Sequence, residues 1–296
     1  MDSRRWEGYR SRPGDVIVCT FPKCGTTWAQ QIVSLLIFQS PEPRPVTAIA
    51  PWIDFRSPIP VDTLYATLEA QAHRRSLKSH LPFDALPFRD DVRYIHVARD
   101  GLDAFMSWHN HTLRYQRTHI LDETGKNDET IARVYPRAAV EPRAFFREWM
   151  GLEPDREPDF SAEAFFDTER TWWEARNRPN VLMVHYNDLK ADLDREMRRV
   201  AEFLGVHTPD SVWPSLVQSA TFEAMKRDGG KLMPAADASF QGGHEGFIFQ
   251  GRNERWRQVL SEDDVELFRG RAASAFDPEL QGWLATGCVA GDPTKI

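Results

Sequence analysis

Residues 14–38 change hydrophobic period twice. Asp15 leads into Val16-Ile17-Val18-Cys19, an unbroken apolar run rich in β-branched residues, and this predicts a strand buried on both faces. Pro22, Lys23 and Gly25 mark a tight turn, after which the apolar-rich residues 28–38 predict a helix. Further on, residues 64–73 predict a helix and 74–80 a short strand ended by Pro82. Residues 92–98 predict an apolar strand that turns through Arg99-Asp100-Gly101 into a helix over 102–111. A helix is expected over 168–176 and a strand over 180–185, ending at Tyr186-Asn187-Asp188. In the helix that follows, Leu193, Met197, Val200, Ala201 and Leu204 share one face, and Gly205 is its stop. Strands alternating with helices predict an α/β fold: a single domain with a mainly parallel central sheet and helices on both faces. Ligands are then expected at the carboxyl ends of the strands.

Between these elements, Pro41, Pro43 and Pro45 predict an extended connector, and residues 52–60 an apolar-bearing surface loop. Residues 112–160, with a charged stretch over 123–129 and a short helix over 145–150, predict a lid or specificity region, with disorder of part of the stretch as the alternative.

Composition narrows the function. The chain has 296 residues, within the range of one α/β domain with generous loops. Its 37 basic and 44 acidic residues leave a net charge of −7, so neither nucleic acid nor an anionic membrane is expected as a partner. An anionic ligand would need a local basic pocket. Cys19, Cys24 and Cys288 have no framework spacing and predict reduced thiols, hence a cytoplasmic protein. The first residues lack an apolar signal-peptide core, and the longest hydrophobic run, 32–38, is too short for a transmembrane segment.

The first turn carries the clearest chemistry. Strand, turn and helix aim backbone N–H groups and a helix dipole at one point, where Lys23 and the hydroxyls of Thr26 and Thr27 suit phosphate or sulfate oxygens. The nucleotide-triphosphate loop G-x-x-x-x-G-K-[ST] is not matched, because the lysine precedes Gly25 and Thr26 follows it; no magnesium bridge is implied. No Cys/His spacing suggests another metal. Lys78 and His80 alternate on a strand and share a face, a pairing suited to moving a proton while stabilising negative charge. Arg99 repeats the strand-end cation and can fork onto a phosphate; Ser107 joins it if its helix packs back over the site.

With these residues in order, the chain resembles the cytosolic-type sulfotransferases, which use 3′-phosphoadenosine 5′-phosphosulfate (PAPS) and release 3′-phosphoadenosine 5′-phosphate (PAP). The resemblance lies in Phe21-Pro22-Lys23-Cys24-Gly25-Thr26-Thr27-Trp28, Lys78-Ser79-His80-Leu81-Pro82 and Tyr94-Ile95-His96-Val97-Ala98-Arg99-Asp100 through Ser107. It continues in Val184-His185-Tyr186-Asn187-Asp188-Leu189-Lys190, Ala220-Thr221-Phe222-Glu223-Ala224-Met225-Lys226 and Gly251-Arg252-Asn253-Glu254-Arg255-Trp256. It covers about residues 14–268 of one domain over 1–296, leaving 1–13 as an N-terminal arm and 269–296 as a C-terminal extension.

The resemblance implies a P-loop-like phosphosulfate loop of Lys23, Cys24, Gly25, Thr26 and Thr27. It implies adenine contacts from Trp28, Tyr186 and Phe222, 3′-phosphate contacts from Arg99 and Ser107, and further nucleotide contacts from Thr221, Gly251 and Arg252. His80 would be the general base, aided by Lys23 and Lys78, toward a small-molecule acceptor: a phenol, alcohol, steroid or glycolipid, or an amine. Residues 52–60, 105–115, 140–150 and 235–249, rich in Trp, Phe and His, are its expected walls. Two departures stand out. Phe249-Gln250-Gly251 replaces the family's Arg-Lys-Gly, so Arg252 is the candidate substitute, and Cys24 stands where serine is common. A thiol at a helix N-terminus can be acidified into an oxidation-sensitive group, although an inert small residue is the simpler reading. Residues 257–266 match the family's dimer motif only loosely, so a homodimer is left open. The rivals are a nucleotide-dependent small-molecule kinase and a catalytically silent nucleotide-binding homologue.

Overall fold

A computed structural model of the chain describes residues 1–56, 59–116, 139–153 and 160–287. Strands β1 (Val16–Cys19), β2 (Ser76–Ser79), β3 (Arg93–Ala98) and β4 (Val181–His185) form one wholly parallel sheet in the order β2-β1-β3-β4. Cys19 pairs in register with Ser79 on one side and His96 on the other, so β1 and β2 end level and β3 runs two residues further, to Ala98. The chain leaves β1 for β2 on one flank and returns to β3 on the other. A parallel sheet opens a crevice at such a reversal, between the carboxyl ends of β1 and β3.

The described helices of six residues or more are α1 (Thr26–Phe38), α2 (Val61–Glu69), α3 (Gly101–Arg114), α4 (Pro142–Trp149), α5 (Ala162–Glu174), α6 (Tyr186–Ala191), α7 (Leu193–Leu204), α8 (Trp213–Ser219), α9 (Phe222–Arg227), α10 (Glu262–Ala275) and α11 (Pro278–Thr286). Alternate strand residues feed opposite cores. Val16, Val18, Ile95, Val97, Leu182 and Val184 pack against α1, α7 and α8, whereas Ile17, Leu77, Tyr94 and Met183 join an aromatic core containing Phe105, Trp149, Phe165 and Trp172. Both faces are therefore covered, as the alternation of strands and helices predicted.

Boundaries differ where side chains cap or anchor. Helix α3 starts at Gly101 because the Asp100 carboxylate accepts the Asp103 N–H at 3.0 Å, and α5 starts at Ala162 because Ser161 does the same for Ala164. Gly205, at φ +64°, ends α7. Strand β2 starts only at Ser76. Arg75 before it is buried and ion-paired with Asp15 at 2.5 Å, and the Tyr9 hydroxyl donates to that carboxylate.

The polar N-terminal stretch is thereby built into the fold, with Trp6 and Tyr9 in the aromatic core. The far end is integral too: Ala272, Phe276, Leu280 and Trp283 enter the same core. Within the loosely matched dimer stretch, Asp264 is engaged inside the chain, capping α10 with Ser261 and pairing with Arg143 at 2.7 Å. The charged stretch over 123–129 and Cys288 lie outside the described residues. Among the described residues no helix is long and apolar enough to cross a membrane.

Candidate active site

The cleft opens at the reversal point of the sheet. After β1 the backbone turns through Lys23 (φ +72°) and Gly25 (φ +115°), both left-handed. For lysine this conformation costs about 1–2 kcal/mol, so tertiary contacts must hold it there. At Gly25 a Cβ would stand 3.1 Å from the Tyr186 ring and 3.5 Å from Val97, so the loop can lie this close to β3 and α6 only without a side chain. The turn brings the N-terminus of α1, with Thr26 and Thr27, to the cleft wall beside Lys23.

Lys78 and His80 reach the same cleft from the end of β2, and Arg99 from the end of β3. Helix α3 packs back over the site, so Ser107 and Arg99 line one space. Arg99 is held in place: it donates to the Asn253 side-chain oxygen at 2.7 Å and the Lys23 carbonyl at 3.3 Å, and its guanidinium lies 4.1 Å over Tyr186. Its Nε is buried without a hydrogen-bond partner among the described residues. The last loop adds Gly251, Arg252 and Arg255 to the wall, and Asp103 fixes that loop by accepting the Glu254 N–H at 2.6 Å.

Burial, and for Lys23 and Arg255 the neighbouring positive charges, depress the cations here. Burial, then Lys78 and Arg99, push the Lys23 ammonium down to about 7. Burial pushes Lys78 down to about 8, and its ammonium lies 4.1 Å over the Trp52 ring. Arg255 is lowered by burial, then by Arg99 and Arg252. Neither Lys23 nor Lys78 is ion-paired to a carboxylate among the described residues. A concave site with buried, mutually repelling cations and an unpartnered guanidinium N–H is built for a polyanion.

His80 supplies the complementary group. Its Nδ1 lies 2.7 Å from the Thr20 carbonyl, which can only accept, so Nδ1 carries the proton and Nε2 keeps a lone pair. The Asp54 carboxylate accepts from the Ser79 hydroxyl at 2.6 Å and the His80 N–H at 3.2 Å, fixing the backbone beneath the ring. Burial first, then Lys78, hold the imidazole well below its ordinary range, hence neutral. Trp52 and Phe160 pack against it with their rings nearly perpendicular, centroids 4.7 and 6.1 Å away.

Aromatic groups close the opposite end. The Trp28 indole donates to the Ala220 carbonyl at 2.7 Å and meets Tyr186 edge-on at 5.3 Å, and Phe222 lines the same cleft. Gly251 is left-handed (φ +61°), and a Cβ there would stand 2.7 Å from the Phe222 ring.

A family model, the sulfotransferase domain, matches residues 13–277. The chain belongs to the sulfotransferase family. This sulfotransferase is 33% identical over 309 residues to a glycolipid sulfotransferase of Mycobacterium tuberculosis, covering 99% of this chain and 94% of that one. It is 27% identical to human sulfotransferase 1C2 over 230 residues, covering 75% and 69% of the two chains. Its fold matches that of mouse sulfotransferase SULT7A1 complexed with PAP, with a TM-score of 0.68, 17% identity and coverage of 95% and 93%. It also matches retinol dehydratase in complex with androsterone and PAP, with a TM-score of 0.64, 19% identity and coverage of 98% and 85%.

Two of the residues expected in this sulfotransferase's nucleotide site do not line the cleft. Cys24 is fully buried beneath the loop and its N–H bonds the Phe21 carbonyl, so it offers the cleft neither thiol nor donor. Burial pushes the thiol well up, the opposite of the acidification a helix N-terminus can produce. Thr221 faces its own helix, its hydroxyl accepting the Ala224 N–H as the cap of α9. Residues 140–150 form no wall either, since Phe145, Phe146 and Trp149 are core. Trp52, Trp108, Phe160 and Phe247 do line the cleft. Arg255 joins the wall without a sequence signal that singles it out, whereas His111 joins it from within the expected wall over 105–115. His111 was legible in principle, one helical turn beyond Ser107 and on the same face.

Proposed function

We propose that this sulfotransferase moves a sulfuryl group from PAPS to a hydroxyl of a glycolipid, with His80 as general base. The observation that carries the reading is the neutral His80, its free Nε2 beside a cleft lined by Lys23, Lys78 and Arg99. PAP bound in two structures of this fold supports the donor, and the name of the 33% identical mycobacterial relative supports the acceptor class.

The residues present fit the nucleotide. Lys23, the Gly25 backbone, Thr26 and Thr27 would hold the 5′-phosphosulfate, and Arg99, Ser107, Arg252 and Arg255 the 3′-phosphate. Trp28, Phe222 and Tyr186 would take the adenine by stacking and edge contacts. When bound, PAPS supplies an activated sulfuryl group. His80 Nε2 accepts the proton that an attacking hydroxyl loses. Lys23 and Lys78 set positive charge where negative charge gathers in an in-line transfer, a role that requires positioned cations rather than a covalent enzyme intermediate. Trp52 and Phe247, partly exposed and backed by the buried Trp108 and Phe160, make the acceptor side apolar and aromatic, which suits both a sugar ring and a lipid stem.

Replacing His80 with alanine should lower kcat at least 100-fold while PAP affinity, by calorimetry, stays within about twofold. Loss of PAP binding would make His80 structural and overturn its role as base. Labelled PAPS offered with a glycolipid and with simple phenols tests the acceptor; labelling of the phenols alone would overturn the glycolipid assignment.

A further inference from the structure

His111 lines the cleft from α3 without a role in the transfer described above. Its ring is stacked on Trp108 (5.1 Å, 17°) and Tyr115 (5.8 Å, 13°) and meets Phe240 and Phe247 edge-on at 4.9 and 5.9 Å. Four rings thus fix the imidazole. The Lys23 ammonium sits 3.3 Å from its Nδ1 and 4.3 Å over the Phe247 ring. An ammonium can only donate, so Nδ1 is the acceptor and His111 carries its proton on Nε2.

We propose that His111 is the positioning residue for Lys23: a neutral imidazole, clamped by aromatic rings, that accepts the lysine's hydrogen bond and keeps its ammonium turned into the cleft before the nucleotide arrives.

Two consequences follow. A lysine stem has four rotatable bonds, and fixing it in advance removes an ordering cost from anion binding. A hydrogen bond accepted from the ammonium also favours its charged form, against burial and the charges of Lys78 on β2 and Arg99 after β3. Cys24, on the loop itself, acts weakly in the other direction. His111 stays an acceptor because burial, then Lys23, Lys78 and His80, hold it well below its ordinary range.

The proposal rests on Lys23 gripping the nucleotide, and PAP binding by the full chain tests both. PAP affinity is measured by calorimetry from pH 6 to 9 for the unaltered protein, His111→Phe and His111→Asn, and for Lys23→Met with and without His111→Phe. Phenylalanine keeps the stacking and lacks the acceptor, whereas the asparagine oxygen can take the place of Nδ1. The expected result for His111→Phe is about tenfold weaker binding at pH 8, with the pH at which affinity falls moved down by about one unit. His111→Asn should recover most of both, and in the Lys23→Met background His111→Phe should change affinity less than twofold. Coincident curves for the unaltered protein and His111→Phe, or an equal loss with and without Lys23, would overturn the positioning role alone. Failure of the unaltered protein to bind PAP would overturn the nucleotide reading and this proposal with it.

Discussion

Arg252 and Arg255 follow the glycine of the last loop, whereas the cations of the family's Arg-Lys-Gly precede it. Phe249 and Gln250 leave the wall of the cleft short of the charge that an Arg-Lys pair would bring. Arg255, four residues beyond Gly251, brings a cation to the same wall. It lies 5.2 Å over the Phe249 ring, so the aromatic residue in the substituted position supports this cation. If both arginines address the 3′-phosphate, each alanine substitution should weaken PAP about 10- to 100-fold and change AMP, which lacks that phosphate, less than twofold. Competition binding with the two nucleotides decides. Equal loss for both would assign the arginines to another part of the ligand.

At the scale of elements, the site is four strand ends and the turns that follow them, and its weakest points are the places where backbone must approach a ring. Gly251 is such a place. Alanine there combines a left-handed backbone with a Cβ 2.7 Å from Phe222, so the ring must move. Because residue 251 lies in a loop, Gly251→Ala should lower Tm only by a few degrees while weakening PAP more than tenfold. A large fall in Tm with unchanged affinity would instead make the glycine a folding requirement.

The strand–turn–helix units were legible in the sequence because their signals are local: β-branched runs, Pro and Gly turns and a lysine within reach of a helix start. Those signals alone point to Lys23, Lys78, His80 and Arg99. What remained hidden depends on orientation across the sheet. Cys24 sits between two cleft residues, yet its side chain turns into the core. Thr221 beside Phe222 spends its hydroxyl on a helix cap. The N-terminal arm read as polar because Trp6 and Tyr9 carry no periodic pattern; the buried Asp15–Arg75 pair holds Tyr9, on which Trp6 packs edge-on, and hydrogen bonds from Asp2 and Arg5 to Asp54 and Ile53 anchor the rest of the arm.

For the whole molecule, the cation cluster couples stability to the anion and to pH. In the unfolded chain Lys23 titrates near its ordinary value of 10.5, and in the ligand-free fold near about 7. Between those values the unfolded state binds more protons, so Lys23, with Lys78 behind it, makes stability rise with pH across that window. The ligand-free fold therefore carries its electrostatic strain at and below neutral pH, where both lysines are forced to be charged. A bound polyanion relieves that strain by raising both lysines back toward their ordinary range, and binding therefore takes up protons. PAP affinity should then fall as pH rises above about 7, by up to about tenfold per unit for each fully linked proton. The Tm gain from a fixed excess of PAP should correspondingly be larger at pH 7 than at pH 9. Lys23→Met should flatten the dependence, leaving only the part due to Lys78. Titrations at pH 7 in buffers of different ionisation enthalpy read the proton uptake directly. An apparent binding enthalpy independent of buffer, together with equal Tm gains at the two pH values, would mean that the lysines do not meet the anion.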